Sequence, residues 1–264
     1  MKLYAWQREC VERWKENGGR GIVRAVTGSG KTAMALHAVR EMEHMAQTPI
    51  RVRIVVPTCV LASQWAGAME ELLPDVKSGQ ERPGRWGGGR HDNPGRRYMI
   101  YVVNSARYSL ARHVLRDWEQ GVGVFLIADE CHRYASPENR RIFDFLEEGA
   151  GPYYSMGLSA TPEGRGFGSV LEPALGKMIY RYGFSEAAAN RNVSRFAAYQ
   201  IALSFTPEER EEYDVYGRRI AAVRKRLLEE RPALRKLGRH AFLRLCGKWR
   251  QRRGTIRSLR LSYF

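Results

Sequence analysis

The sequence predicts an open α/β fold in which a parallel sheet is flanked by helices. Short apolar runs rich in β-branched residues alternate with helical patterns over most of the 264-residue chain. Runs that are apolar on both faces are typical of strands buried in a parallel sheet, and βα alternation indicates right-handed crossovers. The predicted strands are residues 22–26, 52–56, 99–103, 124–128 and 154–158, and the predicted helices are residues 32–45, 61–72, 107–118 and 140–147.

Composition and charge limit the class of protein. Hydrophobic residues make up 44% of the chain, which is enough for a full core and excludes disorder as the default. The net charge is +16, and residues 218–264 carry 16 Lys and Arg against two Asp and Glu, so the remainder is nearly neutral. A basic terminal segment predicts a polyanionic partner, nucleic acid before membrane, because no long apolar run accompanies it.

Cysteine spacing and the N-terminus predict an intracellular location, cytoplasmic or nucleoid-associated. The four cysteines include no CxxC pair, which argues against a disulfide framework or a zinc site. The N-terminal residues lack the apolar core of a signal peptide, and no apolar stretch is long enough to cross a membrane.

Two segments outside the βα pattern are distinctive. Residues 78–97 are rich in Gly, Pro and Arg and are predicted to form a surface loop, either in contact with nucleic acid or simply solvated. Residues 198–205 are a further candidate strand. Thr206-Pro207-Glu208-Glu209 then predicts a helix start with a capping box, followed by basic helical patterns at 218–228 and 239–250.

The strongest local motif is Gly28-Ser29-Gly30-Lys31-Thr32, which follows a predicted strand and precedes a predicted helix. A glycine-rich turn presents backbone N–H groups to phosphate, Lys31 reaches the terminal phosphates, and the Thr32 hydroxyl is a ligand for Mg²⁺. The motif therefore predicts a P-loop that binds ATP with Mg²⁺.

Two more motifs follow predicted strands, and the carboxyl ends of parallel strands share one edge of a sheet. Asp129 and Glu130 follow the strand at 124–128, so Asp129 is a candidate for the Mg²⁺ shell and Glu130 for the base that takes a proton from the attacking water. The hydroxyls of Ser159 and Thr161 follow the strand at 154–158, where they could bond to His132 and sense the γ-phosphate.

Five segments, in their order along the chain, resemble the motifs of superfamily 2 helicases and translocases. They are Trp6-Gln7, AVTGSGKT, Val56-Pro57-Thr58 with Gln64-Trp65, DECH and LSATP. The resemblance is closest to the XPB-like and type III restriction-subunit branch, covers about residues 1–215, and implies a RecA-like P-loop NTPase lobe. It implies DNA rather than RNA as partner; separately, the lack of a long apolar run predicts no membrane partner. It also implies roles for three groups of residues. The nucleotide-binding group is Gln7, Thr27, Gly28, Ser29, Gly30, Lys31 and Thr32; the coupling group is His132, Ser159 and Thr161; the nucleic-acid group is Pro57, Thr58 and Gln64.

Some positions depart from the pattern of that branch. Tyr4 stands where an Arg is common before the Gln, and Asn104-Ser105-Ala106-Arg107 replaces a T-x-x-S-L-like element that contacts nucleic acid. Cys131 is interpreted as a small buried residue without chemistry.

The resemblance also predicts the domain organisation. Residues 1–194 are predicted to form the ATP-binding lobe, and residues 195–264 a basic helical segment that starts an incomplete second lobe. Because a second lobe supplies arginine fingers worth on the order of 10³–10⁵ in turnover, the chain alone is expected to hydrolyse ATP slowly at best. A second helicase lobe, or a nuclease or methylase, is the expected protein partner.

Alternatives remain open at this stage. Residues 218–260 either contact the phosphate backbone or pack as a solvated helix pair on a second lobe, and Trp249 is either a stacking residue or a half-buried anchor. The rival function is a non-catalytic protein that binds nucleotide and nucleic acid. A P-loop kinase is a third reading, but it leaves the LSATP motif and the basic terminus unexplained.

Overall fold

The computed structural model describes residues 3–193 and 202–230, and the chain divides into two units, Met1–Phe196 and Ala197–Phe264. An eight-stranded sheet forms the centre of the first unit. Its strands are β1 (Arg20–Ala25), β2 (Ile50–Val56), β3 (Gly84–Gly87), β4 (Arg90–His91), β5 (Tyr98–Val102), β6 (Gly123–Asp129), β7 (Tyr153–Ser159) and β8 (Met178–Tyr182).

Helices connect the strands and cover both faces of this sheet. They are α1 (Ala5–Glu16), α2 (Lys31–Met45), α3 (Cys59–Leu72), α4 (Pro74–Lys77), α5 (Val103–Glu119), α6 (Phe145–Glu148), α7 (Glu172–Leu175) and α8 (Phe184–Ala189). Shorter turns of 3₁₀ helix at Cys131–Ala135 and Asn139–Phe143, and a π-helical turn at Phe167–Leu171, complete the connections. Buried residues of α1, α2 and α3 form a core on one face, and those of α5, α6 and α7 form a core on the other.

The strand order brings the three predicted motifs together. The order is β4-β3-β5-β2-β6-β7-β1-β8, and every pairing is parallel except that of β3 with β4. β7 therefore lies between β1 and β6. The segments that follow these three strands are neighbours at the carboxyl edge, where open α/β sheets bind their ligands.

The predicted fold class, a parallel sheet flanked by helices, is confirmed. All five predicted strands are present, with their bounds shifted by one or two residues. Two predicted helices differ in detail: the helix predicted at 107–118 begins earlier, at Val103, and the pattern at 140–147 is divided between a 3₁₀ turn and α6. β8 was not predicted from the sequence.

The prediction that residues 78–97 are entirely loop is wrong. The segment contains β3, which extends the sheet beside β5, and β4, which completes a hairpin. Glycine makes this possible, since a Cβ at Gly87 would lie 2.9 Å from Cβ of Val102. The hairpin turn also uses positive φ angles, +63° at Gly88 and +84° at Gly89.

In the second unit, the predicted helix start is confirmed as α9 (Pro207–Glu230). The Thr206 backbone N–H donates to Oε2 of Glu209 at 2.9 Å, and the Glu209 N–H donates back to the Thr206 hydroxyl at 3.2 Å, as a capping box requires. The candidate strand at 198–205 is described only from residue 202, and residues 202–205 are not a strand. The basic pattern at 239–250 lies outside the described residues. Among the described residues, no helix combines the length and apolar character that a membrane span requires.

Candidate functional site

The loop between β1 and α2 has the backbone geometry of a phosphate-binding turn. Gly28 and Gly30 have φ angles of +81° and +93°, a conformation that glycine adopts without steric penalty. Ser29 is fully buried between them, and its hydroxyl donates to the Val26 carbonyl at 2.7 Å. The loop leads directly into the N-terminus of α2, whose free N–H groups favour an anion.

Lys31 bonds within this loop. Its Nζ donates to the carbonyl of Ala25 at 3.0 Å and to that of Val26 at 3.2 Å. Burial lowers the pKa of the ammonium group, and the carboxylates of Glu130 and Asp129 act in the opposite direction. The side chain is thus held where phosphate oxygens could replace the two carbonyls. Thr32, the next residue, is half-buried, and Thr27 is exposed.

Gln7 joins α1 to the loop. Its side chain is buried; Oε1 accepts the backbone N–H of Tyr4 at 2.8 Å, and Nε2 donates to the carbonyl of Gly30 at 2.9 Å. The neighbouring Trp6 stacks on Tyr182 of β8 with ring centroids 4.5 Å apart. The start of α1 is therefore fixed both to the loop and to the sheet.

Asp129 ends β6, and both of its carboxylate oxygens have partners. Oδ2 accepts the indole N–H of Trp65 at 2.8 Å, and Oδ1 accepts the backbone N–H of Glu130 at 3.0 Å. Burial raises the pKa of Asp129, while the Trp65 hydrogen bond acts to lower it. Each oxygen keeps a further lone pair that a metal or its water could use.

Glu130 occupies a left-handed backbone conformation, with φ +50° and ψ +47°. This conformation is unfavourable for a non-glycine residue by about 1–2 kcal/mol and is concentrated at functional sites. Tyr134 holds the turn, because its hydroxyl donates to the carbonyls of Asp129 and Val55 at 2.6 and 3.0 Å. Cys131 between them is fully buried, and burial raises its pKa to about 12, so it stays a thiol.

His132 connects the end of β6 to the end of β7. Its Nδ1 lies 2.8 Å from the Ser159 hydroxyl oxygen and 3.4 Å from Oε2 of Glu130. Ser159 also accepts the backbone N–H of Thr161 at 3.0 Å. The structure therefore brings together the three residues predicted to have a coupling role, although Thr161 takes part through its backbone.

The residues predicted to contact nucleic acid lie further along the same edge, after β2. Thr58 is the N-cap of α3, where its hydroxyl accepts the Leu61 N–H at 3.3 Å, and Gln64 is exposed on the first turns of that helix. Pro57 precedes them and is half-buried.

Sequence reasoning missed the structural roles of Trp65 and Tyr134. The helical spacing of Ala62, Trp65, Ala66 and Met69 could have placed Trp65 on the buried face of α3. It could not have identified Asp129 as the partner, since that contact depends on β2 and β6 being adjacent.

The donor set fits Mg²⁺ bound with a nucleoside triphosphate. The loop residues supply backbone N–H groups, the Lys31 ammonium and the Thr32 hydroxyl, and the buried Asp129 carboxylate acts electrostatically on Lys31. A Cβ at Gly28 would meet no atom within 4 Å. Mg²⁺ is characteristically bound by one or two protein oxygens together with substrate phosphates and water.

The chain is similar to known proteins in sequence and in fold. The family model described as type III restriction enzyme, res subunit, matches residues 1–164. A DNA 3′–5′ translocase XPB2 of Sulfurisphaera tokodaii is 29% identical over 215 residues, which cover 81% of this chain and 43% of the relative. The helicase domain of Hef from Pyrococcus furiosus superposes with a TM-score of 0.52 at 18% identity, over 68% of this chain and 38% of that one. The chain thus spans less than half the length of each of these two proteins.

Proposed function

Because the chain belongs to the family of type III restriction enzyme res subunits, within the superfamily 2 helicases and translocases, we propose that it is the ATP-binding lobe of a DNA-dependent ATPase. In this proposal, ATP hydrolysis with Mg²⁺ drives movement on DNA. One observation carries it: the glycine loop after β1, the acidic pair after β6 and Ser159 of β7 lie side by side at one sheet edge. DNA is preferred to RNA because the matched relative is described as a DNA translocase.

The nucleotide would be bound by the glycine loop and by Gln7. The N–H groups of residues 27–32 and the Lys31 ammonium would bind the phosphates, and the Gln7 amide would contact the adenine edge, a pairing for which Gln has suitable donor and acceptor geometry. Thr32 and Asp129 would hold Mg²⁺. When bound, Mg²⁺ neutralises charge on the β- and γ-phosphate oxygens.

Hydrolysis requires a base close to the γ-phosphate. Glu130 is suited to this role because its carboxylate is partly exposed, with 29% of the side chain accessible, while its backbone is fixed by the turn at Tyr134. Glu130 would take the proton of a water that attacks the γ-phosphorus as the bond to ADP breaks. His132 and Ser159 would transmit the loss of the phosphate to the segment after β7.

The rival is a non-catalytic protein that binds nucleotide and nucleic acid. Single-turnover hydrolysis of labelled ATP, with the chain in excess and with or without DNA, separates the two. We expect slow hydrolysis that DNA accelerates and that Glu130→Gln abolishes. ATP binding with no hydrolysis above the Glu130→Gln background would favour the rival. The second helicase lobe, or a nuclease or methylase subunit, is the proposed protein partner, and adding it should raise the rate further.

A further inference from the structure

We propose that the β3–β4 hairpin forms an additional contact for the phosphodiester backbone of DNA. The hairpin and the outer side of α3 enclose a groove of ≈ 430 Å³, which we call the arginine groove. Four arginines line it: Arg82, Arg85, Arg90 and Arg96. The inference rests on the proposed function, because the DNA bound here is the DNA along which the ATPase moves.

The position of the hairpin tip is fixed by close packing. A Cβ at Gly88 would overlap Sγ of Cys59, and one at Gly87 would lie 3.1 Å from Oγ of Ser105. The tip therefore contacts the first residues of α3 and α5 at the carboxyl edge. Pro57 and Thr58 precede Cys59 directly, so the tip extends the surface on which DNA contacts are proposed.

The end of the arginine groove at the carboxyl edge of the sheet is continuous with that surface. Nη1 of Arg85 donates to the Ser63 hydroxyl at 3.1 Å, and Ser63 is adjacent to Gln64 on the exposed side of α3. Arg90 is exposed on β4 and lines the same groove. The Arg85 guanidinium thus lies next to Ser63 and Gln64, and Arg90 adds a second positive charge to the same groove.

Other arginines of the chain are paired with carboxylates. Arg24, Arg51, Arg53 and Arg181 all form ion pairs with carboxylates. Within residues 3–193 and 202–230, none of the four groove arginines forms such a pair. The Arg96 guanidinium donates to the carbonyl of Arg82, at 3.4 Å. Unpaired guanidinium groups that converge on a groove are suited to phosphate, which they bind with planar, paired N–H donors.

Acidic residues determine which end binds. Glu70, Glu81 and Asp92 also line the groove. Glu70 is two helical turns beyond Ser63, about 10 Å toward the amino edge, and Oδ2 of Asp92 accepts the backbone N–H of Arg85 at 2.9 Å. The carboxyl-edge end lies away from Glu70 but includes Asp92 beside Arg85. Because Arg85 and Arg90 outnumber that carboxylate, this end is assigned to the DNA backbone.

The test is the salt dependence of DNA binding by the double variant Arg85→Gln/Arg90→Gln. Arg112→Gln/Arg116→Gln is the matched control, because both residues are exposed on α5 and form no ion pair among the described residues. Binding of the full chain to labelled single-stranded and duplex DNA is measured by anisotropy from 50 to 300 mM salt. Each lost phosphate contact should reduce the slope of log K against log salt by about 0.7 on single strands and 0.9 on duplex.

We expect the groove variant to lose one or two units of slope and about 10-fold or more in affinity at low salt, with the control close to the parent chain. If the groove variant has the same slope as the parent chain, the groove does not bind the DNA backbone, and the proposed function is unaffected. Absence of DNA binding by the parent chain itself contradicts the proposed function as well. If the groove variant loses affinity for poly-glutamate but not for DNA, the groove binds an acidic protein segment and the proposal is wrong.

Discussion

The indole N–H of Trp65 donates a hydrogen bond to Asp129, with 2.8 Å between Nε1 and Oδ2. Trp65 is buried in α3, the helix that begins directly after Thr58, whereas Asp129 ends β6 beside the glycine loop. The bond therefore joins the segment proposed to contact DNA to the carboxylate proposed to hold Mg²⁺. It also favours the charged carboxylate, which burial alone would disfavour.

Trp65→Phe removes this hydrogen bond while keeping an aromatic ring in the core. We expect ATP hydrolysis to fall about 10-fold, and the Mg²⁺ concentration for half-maximal rate to rise, because one donor worth about 1.5–3 kcal/mol to a charged group is lost. Trp14→Phe is the control: Trp14 is also fully buried, and its indole N–H donates to the Ser155 carbonyl. If both variants change Mg²⁺ dependence equally, Trp65 acts only through stability.

Lys31→Ala and Glu130→Gln should separate nucleotide binding from hydrolysis. Loss of the ammonium removes the charge that faces the phosphates, so Lys31→Ala should abolish or greatly weaken binding of a fluorescent ATP analogue. Glu130→Gln keeps the size and position of the side chain but cannot accept a proton, so it should bind ATP and not hydrolyse it. Hydrolysis by Glu130→Gln at the parent rate would show that the base is another residue.

Gly30→Ala should disturb the contact of the loop with Gln7. The new Cβ would lie 2.6 Å from Nε2 of Gln7, which must move away from the Gly30 carbonyl. Gly28→Ala is the matched variant, since it has a similar positive φ but no atom within 4 Å of the new Cβ. We expect both to weaken nucleotide binding, and only Gly30→Ala to reduce the preference for ATP over GTP. Equal preference ratios in the two variants would argue against adenine recognition by Gln7.

His113 should make stability dependent on pH. It is buried, its Nδ1 lies 3.0 Å from the Tyr101 hydroxyl oxygen, and burial with nearby arginines lowers its pKa from 6.5 to about 4. Below pH 6.5 the unfolded chain binds a proton at this residue that the folded chain does not, so stability falls as the pH decreases from about 6.5 to about 4.

Between pH 7 and pH 5 this residue should account for a loss of about 2 kcal/mol in the free energy of unfolding. This loss is measured by urea unfolding of the parent chain and of the His113→Gln variant at the two pH values. Because other groups titrate in both proteins, the informative quantity is the difference between the two pH responses, and equal responses would disprove the assignment.

Local sequence was sufficient for the βα alternation and for the glycine loop. The apolar runs became strands because residues that are hydrophobic on both faces are stable only inside a covered sheet. The capping box at Thr206 and Glu209 was likewise readable, since its interactions span only three residues. Residues 78–97 were misread because Gly, Pro and Arg favour a loop locally, while packing of β3 against β5 overrides that preference.

Motif spacing in the sequence indicates which residues could carry the chemistry and that they follow strands. Which segments and side chains meet is known only from the fold. β7 lies between β1 and β6, Trp65 contacts Asp129, Gln7 contacts Gly30, and the β3–β4 hairpin lies beside α3. The reason is physical. Strand propensity and loop conformation arise from interactions between residues close in the chain, whereas strand order and side-chain partners depend on contacts between distant segments, whose pairing no local pattern specifies.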